Sequence, residues 1–260
     1  MPAEPMISHK EDGVGWMIFN NPDRHNALTP AMWARIGDIL ADFEADPEVR
    51  VCVVTGAGER AFVSGADIAQ LPDGPPRAAA ARETSDAGGG GFRVLSDFSK
   101  PMVAMIRGWC LGGGVAVAMK ADIRVASTDA RFGIPAARLG IAYPLDSIRD
   151  LVALVGPSAA KSVLFTAERM DAAQALRLGL VDEVVEPEAL EARVRAITAS
   201  ICENAPLTIR AAKAAINHIV QATGEAERLA RLVDACYASA DFKEGRAAFL
   251  EKRRPVFRGC

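Results

Sequence analysis

The 260-residue sequence has few of the residues that build metal or disulfide sites. It contains three histidines and five cysteines, and no two cysteines form a C-x-x-C pair. No histidine stands beside a cysteine at metal-ligand spacing, so the sequence predicts no metal site and reduced thiols. The thiols are those of Cys52, Cys110, Cys202, Cys236 and Cys260.

Long apolar runs and a strong charge imbalance are absent too. No run of about 18 uncharged apolar residues occurs, so no transmembrane helix is predicted. Residues 1–10 contain no apolar core of a signal peptide, and we therefore expect a cytoplasmic protein. The net charge of −3 gives no electrostatic reason to expect nucleic acid or an anionic membrane as a partner.

Motifs for nucleotide binding and for a serine nucleophile are missing as well. No G-x-G-x-x-G occurs, and residues 156–162 lack the glycine that precedes the lysine of a phosphate-binding loop. We interpret them as a helix start with Pro157 in the first turn. Phe62 stands where a nucleophile elbow needs glycine, so Ser64 is interpreted as a turn residue.

Apolar strands alternate with helical patterns in the first two-thirds of the chain. Continuous apolar or β-branched runs predict strands at residues 14–19, 49–55, 102–106 and 123–126. Thr29, followed by proline, predicts the start of an amphipathic helix. This alternation favours an α/β fold with largely parallel strands.

The composition changes along the chain and suggests two parts. We interpret residues 1–187 as an α/β core and residues 188–260 as an alanine-rich helical region that is either a lid or an assembly element. Residues 72–91 contain prolines, many alanines and four successive glycines, which predicts a flexible stretch inside the core.

Two glycine-rich turns are candidates for a chemical role. One, residues 61–68, follows the strand at 49–55, and the other, residues 108–114, precedes a helix. Glycine lets the backbone approach a ligand closely, and amides at a helix N-terminus are unpaired and lie at the positive end of the helix dipole. Two such amides aimed at one carbonyl oxygen would form an oxyanion hole. Either turn alone is also explained by tight packing of a strand on a helix.

Taken together, the motifs resemble one known family. N-x-P-x-x-x-N-A-L at residues 20–28, F-x-S-G-A-D-I at 62–68 and G-x-x-L-G-G-G at 108–114 have the order and spacing of the crotonase (enoyl-CoA hydratase/isomerase) superfamily. Residues 132–141 and 172–184 continue the resemblance, which covers nearly the whole chain. It implies an α/β spiral of ββα units with a C-terminal helical region that forms trimers, often paired into hexamers.

The resemblance also implies a site for an acyl-CoA thioester. Its oxyanion donors would be the backbone amides of Ala66 and Gly113, with coenzyme A as part of the substrate and no further cofactor. Lys252, near the basic C-terminal end, would approach the coenzyme A phosphates, commonly from a neighbouring subunit, although a solvated basic tail is the alternative. The other residues expected to hold coenzyme A are Arg24, Ala27, Asp67 and Ile68.

Two positions depart from the pattern of the family's hydratases. Those enzymes hold a water molecule with two glutamates, one placed two residues after the glycine triplet and one directly after the F-G-x-P turn. Here the two positions are Ala116 and Ala136. Alanine neither gives nor takes a proton, and general acid–base catalysis typically contributes about 10²–10⁴-fold to a rate.

Other members of the superfamily place an acid or base a few residues further on, where this chain has Tyr143 and Asp146. Asp146 could serve as a base beside the thioester, or it could be the N-cap of a helix over residues 147–155. Tyr143 could donate a hydrogen bond or only pack.

The sequence therefore predicts an enzyme that acts on an acyl-CoA thioester through an enolate, of the enoyl-CoA hydratase/isomerase type. Two alternatives stay open. One is other thioester chemistry on the same scaffold, such as decarboxylation, double-bond isomerisation or hydrolysis. The other is an acyl-CoA-binding protein that has kept the fold but lost its acid and base.

Overall fold

A computed structural model of the chain describes residues 4–66, 89–221 and 226–260. The strands are β1 (Met6–Glu11), β2 (Val14–Phe19), β3 (Val51–Gly56), β4 (Ala61–Val63), β5 (Met102–Ile106), β6 (Trp109–Leu111), β7 (Ile123–Ser127), β8 (Arg131–Gly133), β9 (Met170–Asp171) and β10 (Glu183–Val185). The helices are α1 (Pro30–Ala45), α2 (Gly89–Asp97), α3 (Gly113–Lys120), α4 (Ala136–Leu139), α5 (Leu145–Thr166), α6 (Ala172–Leu178), α7 (Leu190–Cys202), α8 (Pro206–Gln221), α9 (Ala226–Ala238) and α10 (Ala240–Glu251).

The larger sheet has the order β1-β2-β3-β5-β7-β10. The β1–β2 pair is antiparallel, and every other neighbouring pair is parallel. Strand β3 is buried on both faces, because Cys52 and Val54 belong to one apolar cluster and Val51 and Val53 to a second. The predicted strands are confirmed, with β3 running from Val51 to Gly56 instead of over residues 49–55.

The smaller sheet has the order β4-β6-β8-β9, and β4, β6 and β8 are parallel. Each of these three-residue strands directly follows a strand of the larger sheet, so β3–β4, β5–β6 and β7–β8 are successive repeats of one spiral. The carboxyl ends of parallel strands meet at the same edge of a sheet. The loops after β4, β6 and β8 therefore lie side by side.

Local sequence signals explain where helix α1 begins and where helix α5 breaks. Helix α1 begins after Thr29, whose Oγ1 accepts a hydrogen bond from the Met32 amide at 3.3 Å, with proline at the first helical position. Gly156 has φ 75° and breaks α5, so that Pro157 opens its second half as the sequence predicts. Residues 72–88 of the predicted flexible stretch lie outside the described residues, whereas residues 89–91 begin α2, which corrects that prediction.

The C-terminal helices differ in how they meet the sheets. Leu190 and Val194 of α7 are buried against the larger sheet. Helices α8 and α9 contact each other and leave large apolar side chains exposed. Those side chains are Ile216, Ile219, Val220, Val233 and Tyr237. Among the described residues, no helix has both the length and the apolar character needed to cross a bilayer.

Candidate active site

The first predicted oxyanion donor, the amide of Ala66, follows strand β4. Ala66 forms an isolated parallel bridge with Leu28, in which the Leu28 amide donates to the Gly65 carbonyl at 2.7 Å. The Gly65 carbonyl and the Ala66 amide belong to one trans peptide, so they point in opposite directions. The Ala66 N–H therefore points away from Leu28. Gly65 has φ 107°, which places this turn in a region that favours glycine.

The second predicted donor is the amide of Gly113, the first residue of helix α3. The Gly112 carbonyl accepts a hydrogen bond from the Ala116 amide at 3.2 Å, so it points along the helix. By the same peptide geometry, the Gly113 N–H points out of the helix N-terminus, where the helix dipole favours negative charge. Gly112 takes φ 51° and ψ −111°, a conformation open to glycine and not to residues with a side chain.

The fold brings these two amides together. A methyl group placed on Gly113 would lie 3.7 Å from the Ala66 nitrogen, and one placed on Gly65 would lie 3.8 Å from the Gly113 nitrogen. Within the described parts of the chain, neither amide donates a hydrogen bond to a protein group. Two unpartnered N–H groups at one point can bind an oxygen that gains negative charge.

Tyr143 lies behind the second donor. Its hydroxyl donates to the Gly112 carbonyl at 3.1 Å, and its ring packs against the main apolar core. Burial raises the pKa of Tyr143, with smaller contributions from Cys110 and Asp150, so the hydroxyl stays protonated at neutral pH. Of the two possibilities left open by the sequence, the structure shows both a hydrogen bond and packing.

The positions of the missing glutamates lie beside the donors. Ala116 is fully buried in α3, one turn after Gly112. Ala136 is half-buried and opens α4, directly after Pro135, whose Cδ lies 3.9 Å from where a methyl group on Gly112 would be. Both positions present only a methyl group, so this part of the site is apolar.

Asp146 is not the N-cap of its helix, which corrects that interpretation. Helix α5 begins at Leu145 with Pro144 as its N-cap, and no side chain caps it. Asp146 lies in the first turn with its side chain 76% exposed, and its carboxylate pairs with Arg149 at 3.3 Å. Pro144 has φ −61° and ψ 141°, an extended conformation directly before Leu145, so the helix starts earlier than it would with Asp146 as its cap. Its role as a base stays a prediction.

The loop predicted to hold coenzyme A lies next to the first donor. Arg24 is exposed in a short 3-10 helix, and its carbonyl accepts hydrogen bonds from the Ala27 amide at 3.1 Å and the Ser64 hydroxyl at 3.4 Å. Ala27 is buried and directly precedes Leu28. Asp67 and Ile68 lie outside the described residues.

Asn26 is a site residue whose role the sequence reasoning missed. It is fully buried, and its side-chain amide donates to the carbonyls of Ala57 at 3.0 Å and Ala61 at 2.8 Å. Its side-chain oxygen accepts from the Asn21 amide at 2.9 Å. These bonds fix the loop that pairs with Ala66. The signal in the sequence was the N-A-L motif, in which the asparagine precedes two apolar residues. An asparagine buried beside them needs several hydrogen-bond partners and can therefore fix a loop.

Lys252 directly follows helix α10, far along the sequence from the two glycine-rich turns. It is exposed and has φ 54°. The tail after it contacts Arg50 through the Phe257 carbonyl at 3.1 Å and Asp241 through the amides of Arg258 and Gly259. The structure thus places Lys252 on the C-terminal helical region and not in the loop of Arg24.

Comparison with known proteins decides the family. The family model described as enoyl-CoA hydratase/isomerase matches residues 9–260. The chain belongs to this family. Its α/β architecture, with parallel sheets and a C-terminal helical region, is the crotonase fold that the sequence motifs predict.

Individual members of the enoyl-CoA hydratase/isomerase family are similar over the full length. The chain is 38% identical to a crotonyl-CoA hydratase from Syntrophomonas wolfei, covering 99% of both chains. It is 36% identical to a short-chain-enoyl-CoA hydratase from Clostridium acetobutylicum, covering 98% of this chain and 97% of that protein. A crystal structure of a family member from Hyphomonas neptunium superposes with a TM-score of 0.90 at 35% identity, covering 97% of each chain.

Proposed function

We propose that the protein processes acyl-CoA thioesters as an enzyme of the enoyl-CoA hydratase/isomerase type. The observation that supports this most directly is the convergence of the Ala66 and Gly113 amides. The substrates named for its relatives, crotonyl-CoA and short-chain enoyl-CoA, are both coenzyme A thioesters.

In this proposal the thioester carbonyl oxygen lies between the two amides. As the α-carbon becomes enolate-like, negative charge moves onto that oxygen and both hydrogen bonds strengthen. Removal of one donor from such a hole costs about 3 kcal/mol of transition-state stabilisation. The two donors are main-chain groups held in place by contacts already formed in the folded protein, so they need no reorganisation during the reaction.

Coenzyme A recognition would use the loop beside the first donor. Arg24, Ala27, Asp67 and Ile68 are the residues that the family resemblance assigns to it. Lys252 would reach the coenzyme A phosphates of a neighbouring subunit. The exposed apolar side chains of α8 and α9 support assembly into a homotrimer or a hexamer, with residues 188–260 as the assembly region and cover of the site.

A second candidate, decarboxylation, is favoured by Ala116 and Ala136. Hydration requires an acid and a base to activate water, and both positions carry a methyl group. Loss of CO₂ from an α-carboxyacyl (malonyl-type) thioester needs no base. The electrons of the breaking C–C bond form the enolate, whose oxygen the two amides would stabilise, and a proton from water then adds to the α-carbon.

A panel of thioesters separates these possibilities. Titration calorimetry with crotonyl-CoA should show binding at micromolar Kd, about −8 kcal/mol. Mass spectrometry would then follow hydration of crotonyl-CoA, isomerisation of a 3-enoyl-CoA, and decarboxylation and hydrolysis of an α-carboxyacyl-CoA of the malonyl type. Binding of none of these thioesters would contradict the proposal. Binding without turnover of any would identify an acyl-CoA-binding protein instead of an enzyme.

A further inference from the structure

The peptide between Gly112 and Gly113 carries the second oxyanion donor, and its orientation is not fixed by the sequence around it. Three glycines in succession leave the backbone free to adopt many conformations. External contacts must therefore hold this peptide. The carbonyl of this peptide, that of Gly112, accepts from the Ala116 amide and from Tyr143, and the N–H of the preceding peptide, that of Gly112, donates to the Gly133 carbonyl at 2.8 Å.

Among these contacts, the Tyr143 hydroxyl is the only one made by a side chain in the described residues. It reaches Gly112 from a position 31 residues later, and its ring is held by the core. The ring is partly buried and packs against the core, so its hydroxyl provides a well-defined point for the carbonyl oxygen. Because the peptide is planar, fixing the carbonyl also fixes the direction of the Gly113 N–H.

The hydrogen bond has an electronic consequence as well. A donor on a peptide carbonyl polarises the peptide and makes its N–H a stronger donor, as in chains of hydrogen bonds. The Gly112 carbonyl accepts two donors, from Ala116 and Tyr143. Both effects reach the Gly113 N–H through the Gly112 carbonyl, which the Tyr143 hydroxyl contacts.

We propose that Tyr143 is a positioning residue for the oxyanion hole, acting through the Gly112 carbonyl on the Gly113 amide. This inference rests on the proposed function, because it assigns a role within the same thioester site. It differs from packing in one respect: it requires the hydroxyl and not only the ring.

The experiment measures the polarisation of a bound thioester directly. The probe is butyryl-CoA labelled with ¹³C at the thioester carbonyl, which is saturated and cannot be hydrated. Isotope-edited infrared spectroscopy gives the carbonyl stretching frequency, which falls as hydrogen bonds to the oxygen strengthen. Wild type, Tyr143→Phe and Tyr237→Phe are compared. Tyr237 is the other of the two tyrosines, 66% exposed on α9, and serves as the matched control.

We expect a lowered carbonyl frequency in wild type and in Tyr237→Phe, and a smaller lowering in Tyr143→Phe at nearly unchanged Kd. For a substrate that is turned over, kcat in Tyr143→Phe should fall about tenfold with KM nearly constant, the effect of one lost hydrogen bond. A frequency in Tyr143→Phe equal to that of wild type would overturn the proposal while leaving the thioester site intact. No lowering in wild type would contradict the proposed function itself.

A second variant keeps the test decisive if Tyr143→Phe fails to fold. In the Tyr237→Phe variant, Tyr143 is the one tyrosine left in the sequence. Global incorporation of 3-fluorotyrosine therefore replaces Tyr143 and no other residue. The fluorinated phenol is more acidic and a stronger donor of nearly the same shape. We expect a larger lowering of the carbonyl frequency than in the unlabelled Tyr237→Phe protein. An unchanged frequency would overturn the positioning role.

Discussion

At the scale of single residues, the centre of the candidate site is formed by main-chain atoms and not by side chains. Gly113 shows how closely they are enclosed, since a methyl group there would lie 3.0 Å from Leu28 Cδ1 as well as 3.7 Å from the Ala66 nitrogen. Contacts of 3.0 Å force a neighbour to shift. Under the proposed function, the glycine keeps space open for the thioester oxygen and also supplies one of the two donors.

Replacement of Gly113 by proline should remove the donor without breaking the helix. Proline is favoured at the first helical position, where the lost N–H has no helical partner. We expect turnover to fall by about 10²–10³-fold, whichever thioester reaction the protein catalyses. Circular dichroism and steady-state kinetics check this, and Gly113→Ala, which retains the amide, should be less impaired. Undiminished kcat in a folded Gly113→Pro protein would place the hole elsewhere.

Crotonyl-CoA hydration should be slow in wild type, about 10³-fold or more below a relative with both glutamates. Ala136→Glu should raise it about tenfold or more, because a carboxylate at the start of α4 is half-exposed and favoured by the helix dipole. Spectrophotometry of the enoyl thioester measures both rates.

The control for this prediction is Asp146→Asn, made in wild type and in the Ala136→Glu variant. Its carboxylate is exposed and paired with Arg149, so we expect little change in hydration. Rapid hydration by wild type that survives Asp146→Asn would show that the acid and base lie at other residues. A steep loss would identify Asp146 as the base.

At the scale of elements, helix α3 packs against strand β4 so closely that only glycine fits between them. A methyl group on Gly114 would overlap the carbonyl oxygen of Val63. This contact sets the distance between the helix that supplies one donor and the strand that precedes the other. The geometry of the hole is therefore a consequence of helix–strand packing.

Gly114→Ala should destabilise the fold by about 3 kcal/mol, because backbone must move to admit the methyl group. Gly37→Ala is the matched control in helix α1, where the added methyl group meets nothing within 4 Å. It should stabilise the protein by about 0.5–1 kcal/mol through helix propensity. Urea unfolding measures both, and equal midpoints for the two variants would contradict the packing argument.

The C-terminal tail is held to α10 by a carboxylate with a strongly shifted pKa. Hydrogen bonds from Arg253 and from the Val256 amide lower the pKa of Glu244 from 4.5 to about 2. A lowered pKa in the folded state gives stability that is present above pH 4.5 and lost as the pH falls towards 2. Thermal midpoints of wild type and Glu244→Gln should therefore differ at pH 7 and converge below pH 4.5. A difference that stays constant down to pH 3 would contradict this.

The sequence predicted the long strands and the capped helices because their signals are local. Strand β2 matches its predicted bounds, and helix α1 begins after Thr29 as predicted. The three-residue strands β4, β6 and β8 are too short to show a period and were interpreted only as turns. The Tyr143–Gly112 bond joins residues 31 apart, and no local pattern encodes such a contact. The two donors were found through motif order, since backbone amides have no residue identity.

At the scale of the whole molecule, the exposed apolar surface of α8 and α9 leads us to expect an oligomer. Among its described side chains, Ile219 is the most exposed large apolar one, at 77%. We expect wild type to have three or six chain masses by light scattering, because such a surface is stabilised by covering. Ile219→Asp should shift the protein to smaller species, whereas Ala34→Lys, on the exposed side of α1, should not. A monomeric wild type at working concentration would refute the assembly.

The repeating spiral separates the parts of the site from one another. Ala66 follows the first repeat, Gly113 the second and Ala136 the third, each at the end of a strand in the smaller sheet. A substitution after β8 can therefore alter proton transfer while the two donors after β4 and β6 keep their geometry. Such modularity makes this part of the fold readily evolvable: residue 136, one of the two acid–base positions, can be exchanged without rebuilding the two amides that we propose recognise the thioester.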